Sequence, residues 1–240
     1  MTPTQTAERA ARTWREAKSA REAWTRFRSW LDRTEPDENT SDAPYWRGYS
    51  SHELWTDPTA TRLVLFEKLH VMKRFLPDGQ GSDRATRWRI ATASAPFAPT
   101  LMDVTLIRAH ARLLGGPVGF VGDLDPHAIH VFGALRSGSL DAPNIAGRRL
   151  VVDWLGIDDA WLQQARKTTR RLETRLIRMG WFETEYWEII KRFAPGIRSL
   201  IGDESFALLE SGSKLESDAF DDVMPGLLRS RLRPKSRRRR

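Results

Sequence analysis

The spacing of apolar residues changes character several times along the chain. Between 6 and 33, Ala10, Trp14, Ala17, Trp24, Phe27 and Leu31 return at helical steps, with Arg and Lys on the opposite side. This predicts one amphipathic helix. Its Trp stripe either packs on the body or serves a partner or DNA. Residues 34–60, rich in Pro, Asp, Ser and Thr, predict a long connection.

After Pro58 the period shortens. The run Leu63 to Phe66 reads as a buried strand ending in Glu67, and helical spacing follows through KLHVMKRFL. Ile90 to Thr92 lead into a Pro-containing turn, and residues 101–116 read as a helix closed by Gly115 and Gly116. Val118 to Val121 predict another strand, followed by an acidic turn and a helix from about Pro126 to Leu135. Residues 148–156 (RRLVVDWLG) give one more strand-like run. Strands alternating with helices predict an α/β class with a mostly parallel sheet flanked by helices. Residues 158–201 read as helical, with Trp161, Leu162, Leu172, Leu176, Ile177, Trp187, Ile190 and Phe193 as core. The expected organisation is a basic helix at 1–33, a linker at 34–60, an α/β core at 61–160, a helical extension at 161–228 and an Arg-rich tail at 229–240.

Charge refines the picture once it is located. The formal net charge is +8, and the tail 229–240 holds eight Lys or Arg and no acid. Such a tail binds polyanions, nucleic acid first, by releasing counterions; the alternative is a solubilising tail. The Arg and Lys of residues 166–178, Arg170 and Arg171 among them, would form a basic helical face suited to a DNA backbone or simply to water. The absence of Cys excludes disulfides, thiolate zinc sites and cysteine nucleophiles, and suits a reducing cytoplasm. No stretch approaches the roughly 20 apolar residues of a membrane span. A soluble, nucleoid-associated cytoplasmic protein with no membrane partner is therefore expected.

The segment GDLDPHAIH carries the candidate chemistry. Asp123 and Asp125 fall where a buried strand ends and a helix begins, the edge at which open α/β sheets bind ligands. Two carboxylates in a turn can serve a hard cation such as Mg²⁺, or one can cap the helix that Pro126 opens. Glu67 ends the first strand of the domain and can share that edge, where three carboxylates would repel one another without a cation. His127 is placed to act as a general base or phosphate contact. A zinc site from His110, His127 and His130 lacks a supporting motif. Lys68, Arg136 and Ser139 could reach a phosphate or stay solvated. No P-loop, G-x-G-x-x-G element or nucleophile elbow is present.

With these residues in view, the chain resembles a Toprim domain, nearest to that of the A subunit of DNA topoisomerase VI, the meiotic double-strand-break protein and the nuclease subunit of the Wadjet plasmid-defence system. Glu67, the SAPFAP turn at 94–99 and the Asp123-Leu124-Asp125-Pro126 turn match the family's acidic and turn positions in order. LRSGS at 135–139 and VVDWLGIDDAWL at 151–162 are similar to segments further on, so the likeness covers about 60–165. The resemblance implies that Glu67, Asp123 and Asp125 bind Mg²⁺ or Mn²⁺ and organise a DNA phosphate for transesterification or hydrolysis. It also implies a homodimer. The family's winged-helix domain with its catalytic tyrosine has no counterpart here, and Tyr45, Tyr49 and Tyr186 read as packing or surface residues. Two expectations follow. One is metal-dependent DNA cleavage by water, gripped by Arg136, Arg170, Arg171 and the tail arginines Arg237, Arg238, Arg239 and Arg240. The other is a non-catalytic DNA-binding module completed by a separate subunit of a DNA-processing or defence complex. An RNA substrate differs only in the nucleic acid.

Overall fold

The computed structural model describes residues 54–55, 62–68, 88–92, 118–138, 145–147, 150–168, 172–220 and 224–232, together with positions 16, 71, 111 and 112. The N-terminal helix, the linker after it and most of the Arg-rich tail predicted from sequence lie outside the described residues.

Five strands make the main sheet. They are β1 (Leu54–Trp55), β2 (Arg62–Phe66), β3 (Trp88–Thr92), β4 (Val118–Val121) and β5 (Val152–Trp154), in the spatial order β1-β3-β2-β4-β5. All neighbours are parallel except β1, which runs antiparallel along β3. The class is therefore α/β. The interior strands carry unbroken apolar runs rather than an alternation, as strands covered on both faces must. Leu63, Val64, Leu65, Phe66, Val118, Phe120 and Val121 are all buried.

The helices of the described residues are α1 (Pro126–Ser137), α2 (Asp159–Thr168), α3 (Trp181–Phe193), α4 (Ile197–Ile201), α5 (Asp203–Glu210) and α6 (Met224–Leu232). Helix α1 starts where the Pro predicts and ends at Gly138, whose φ of 70° supplies the left-handed cap. It lays Phe132 against Phe120 and Trp154, with ring centroids 6.3 and 5.4 Å away. Trp161 of α2 meets the Phe220 ring edge-on at 4.4 Å, which joins the C-terminal region to the same core. Among the described residues no helix is long and apolar enough to cross a membrane.

The structure departs from the expected helical run over 158–201. Helix α2 stops at Thr168, a single 3-10 turn spans Leu172–Arg175, and Ile177–Arg178 form a strand, β6, paired antiparallel with β7 (Ser213–Lys214). A continuous basic helical face over 166–178 therefore does not form. Ile177, expected in the core, is 40% exposed. Its β-branched side chain suits a ribbon strand, and Met179 N–H continues the pairing to Gly212 O at 2.8 Å. The C-terminal region is thus helical with a two-stranded ribbon inside it.

One close approach fixes the carboxyl edge of the sheet. A Cβ on Gly156 would lie 2.2 Å from the carbonyl oxygen of Gly122, so the turn after β5 presses on the backbone after β4. Backbone cannot swing aside as a side chain can. Gly156→Ala is expected to destabilise the fold by about 1–3 kcal/mol through overpacking. Urea unfolding would show this as a lower midpoint with an unchanged slope.

Candidate functional site

Strand order creates the site. The chain leaves β2 toward β3 on one side and leaves β4 toward β5 on the other, while β2 and β4 are neighbours in register from Leu63↔Val118 to Phe66↔Val121. A crevice opens beyond the carboxyl ends of two such strands, and it is the common ligand position of doubly wound sheets. Glu67 follows β2 directly, and Asp123 and Asp125 follow β4. The structure therefore brings to one edge the three acids singled out from sequence.

Their contacts divide them. Glu67 N–H donates to Val121 O at 3.0 Å, and Glu67 Oε2 accepts the Asp123 N–H at 3.0 Å, so the glutamate ties the two strand ends together. Asp123 is 1% exposed. Its Oδ1 accepts the Ser217 N–H at 2.8 Å and the Ser217 hydroxyl, and its Oδ2 lies 2.7 Å from Lys68 Nζ. Asp125 Oδ1 accepts the Ala128 N–H at 2.7 Å and so caps α1. Between the two aspartates, Leu124 and Leu215 exchange backbone hydrogen bonds of 2.9 and 3.2 Å. This clips segment 214–218 over the acidic turn.

That segment adds charge of both signs. Lys68 Nζ also bonds Glu216 Oε2 at 3.0 Å and stands 3.7 Å from Asp218 Oδ1. Lys214 Nζ bonds Glu183 at 2.7 Å and Glu216 at 2.9 Å. Burial first, then Asp125 and Asp123, push the Glu67 carboxyl well above the ordinary range. Burial and Asp123 push Asp125 up to about 7, against the Ala128 N–H that lowers it. Burial works against the Lys68 ammonium, but Asp123, Glu216 and Asp218 overcome it and hold the group more basic than an ordinary lysine. The interior of the turn thus has more negative charge than its two lysines neutralise.

The remaining candidates spread out. His127 is half-buried in the first turn of α1. His130 is buried and faces Tyr186, its Nδ1 hydrogen-bonded to the phenol oxygen. Tyr186 is buried, and burial, then Asp125, raise its phenol. Arg136 sits at the far end of α1, about 15 Å along the axis from the acidic turn. Its Nε donates to Gly147 O at 2.9 Å and its guanidinium lies over the Phe132 ring. His110, Ser139, Tyr45, Tyr49, Arg170, Arg171 and Arg237 to Arg240 lie outside the described residues. Among the described residues no three His, Asp or Glu side chains stand together as a ready-made metal-ligand set. Sequence reasoning missed Lys214, Glu216, Ser217 and Asp218. Their only local signal is a dense alternation of charge in SKLESD, which reads as any solvated loop.

No family model and no curated protein matches this sequence.

The raised Asp125 carboxyl has a signed consequence. Its folded pKa lies above its unfolded one, so the folded state binds the proton more tightly. Stability then falls as pH rises from about 4 to about 7, and the full penalty is present above that window. Asp125→Asn keeps a good N-cap and removes the charge. In EDTA it should stabilise the protein on the order of 2 kcal/mol at pH 8 and have little effect near pH 4. Denaturant midpoints of the two proteins across that range would show it, and equal midpoints at pH 8 would contradict it.

Proposed function

We propose that this chain is a DNA-processing protein with a Toprim-type acidic site that cleaves DNA phosphodiesters with Mg²⁺ or Mn²⁺. The observation that carries the reading is the meeting of Glu67 with Asp123 and Asp125 at the ends of two adjacent parallel strands, on the switch point of the sheet. The order of Glu67, Asp123, Asp125 and Pro126 along these elements supports the Toprim likeness. The donors suit a hard divalent cation: all are carboxylate oxygens, and Glu67 and Asp125 are pushed toward protonation by burial first and then by the neighbouring acids.

A bound divalent ion would supply charge for a phosphate oxygen and for the attacking water. The chain's own residues do the rest. Glu67, through the Asp123 N–H, sets the spacing of the two strand ends. Ser217 orients the Asp123 carboxylate by two hydrogen bonds, as outer partners of metal ligands do. His127, in the first turn of the helix that Asp125 caps, is the group assigned to take the proton of the water. Arg231 of α6 donates to Gly156 O at 3.1 Å and pairs with Asp158, both just beyond β5. The Arg-rich tail therefore starts from the same carboxyl edge as the acids, which favours a DNA backbone lying across that edge.

A second reading has its own observation. Lys68 already neutralises Asp123, which suits a non-catalytic subunit in which the acidic edge is structural and a partner supplies the chemistry. Supercoiled plasmid separates the two. The cleavage reading expects nicking or linearisation with Mg²⁺ or Mn²⁺, none in EDTA, and at least about a hundredfold loss in Asp123→Asn/Asp125→Asn, which keeps the helix cap. DNA binding without any cleavage would pass the case to the subunit reading. The tail has a separate signature: replacing Arg237 to Arg240 with Ser should flatten the slope of log binding constant against log salt by about 3.6, from four lost phosphate contacts on duplex DNA. An unchanged slope in a filter-binding or anisotropy titration would remove the tail from the interface.

A further inference from the structure

The acidic edge already holds a cation. Lys68 Nζ lies 2.7 Å from Asp123 Oδ2, 3.0 Å from Glu216 Oε2 and 3.7 Å from Asp218 Oδ1, so one ammonium gathers three carboxylates from two segments remote in sequence. A divalent ion coordinated by Asp123 Oδ2 would sit about 2.1 Å from that oxygen. With the ammonium where it is, two cations would crowd one carboxylate oxygen, and their repulsion in a partly buried site is large. Lys68 can give way. Its side chain is 25% exposed and lies on a flexible stem, so its head can move into water while Ser217 still grips Asp123 Oδ1.

We infer that the Lys68 ammonium is a resident counter-cation that alternates with a divalent ion at Asp123, and that Glu216 and Asp218 form the rest of the cation position it fills. This rests on the metal reading above and deepens it. The carboxylate best placed to ligate is thus already engaged by a lysine. The alternation also gives Lys68 a second station, freed and close to the edge, where a DNA phosphate would lie. Metal entry at Asp123 then loosens Lys68 from Glu216, one of the ties that hold segment 214–218 over the turn.

Two measurements on the full chain test it. In a titration followed by the electron paramagnetic resonance signal of free Mn²⁺, Lys68→Gln should bind Mn²⁺ at least about tenfold more tightly than the wild type, because the competing charge is gone. Lys68→Arg keeps the charge and should stay within about threefold of wild type. Equal or weaker binding by a Lys68→Gln protein with an unchanged melting curve overturns the inference and leaves the metal reading standing. If neither wild type nor Lys68→Gln removes Mn²⁺ from solution, the metal reading falls and takes this inference with it. The second measurement needs no variant. Saturating Mg²⁺ should raise the rate of Lys68 acetylation by an amine-reactive reagent several-fold, read by mass spectrometry. Lys191, paired with Glu188 and Glu210, should not respond and serves as the internal control. Unchanged Lys68 labelling at a Mg²⁺ concentration that saturates the protein overturns the alternation.

Discussion

A carboxylate taken almost wholly out of water is tolerated only where donors and a cation surround it. Asp123 meets that condition through three donors from two places: the Lys68 ammonium beyond β2, and the backbone N–H and hydroxyl of Ser217, which is 94 residues away in the chain. The C-terminal region must therefore be docked for the acidic turn to exist in this form. The Leu124–Leu215 backbone pair and the edge-on contact of Trp161 with Phe220 are the backbone and apolar sides of the same docking. Loss of the Ser217 donors would leave the buried carboxylate to the ammonium alone, at a cost in stability. The sheet and the helical region behind it are in this sense one unit, joined at the residue that the chemistry would use.

Packing places the edge as firmly as charge does. Gly122 and Gly156 let the turns after β4 and β5 touch backbone to backbone, with Ile157 N–H reaching Gly122 O at 3.3 Å. Asp158 and Asp159, just past that contact, then anchor two different helices. Asp158 takes the Arg231 guanidinium of α6, and Asp159 accepts the N–H groups of Glu204 and Ser205 at the start of α5. A short stretch after one strand thereby sets where the C-terminal helices begin and end relative to the acids.

Much of this was readable in the chain because it is local. The apolar run of β4, the Pro that opens α1 and the alternation of strand and helix are nearest-neighbour properties, and the structure has them where the pattern puts them. The turn residues Asp123 and Asp125 were likewise visible, but not the division between them. Both a ligand and a cap were open readings of Asp125, and the cap to Ala128 is made. Strand order was not readable, since the neighbourhood of β2 and β4 depends on contacts between residues over 50 apart. Nor was the strap at 214–218, whose Lys, Glu, Ser and Asp carry no periodicity. The break after α2 escaped for a related reason. Residues 166–178 have good helix formers and helical spacing, yet pairing of Ile177 with Lys214 overrides that preference. The Toprim likeness rests on the local part alone, on the acids and the turns that carry them.

The charge distribution leaves a problem that any function in nucleic acid must solve. Around the turn stand Glu67, Asp123, Asp125, Glu183, Glu216 and Asp218, against Lys68 and Lys214. Such an edge repels a phosphate backbone, and the repulsion grows where burial lowers the local dielectric. The proposed function offers two ways to reverse it. One is a divalent cation, which the oxygen donors would accept only as Lys68 yields. The other is the basic C-terminal residues, of which Arg231 stands beside the same edge. On that reading the two would act at different range: the ion at one phosphate oxygen, and the basic tail along several phosphates whose counterions it would displace. A basic tail rooted elsewhere could hold DNA to the protein without bringing it to the acids. With Arg231 held at Gly156 and Asp158, the proposed function would have basic residues bring a phosphate backbone toward the carboxylates; without nucleic acid the same contacts only hold the fold together.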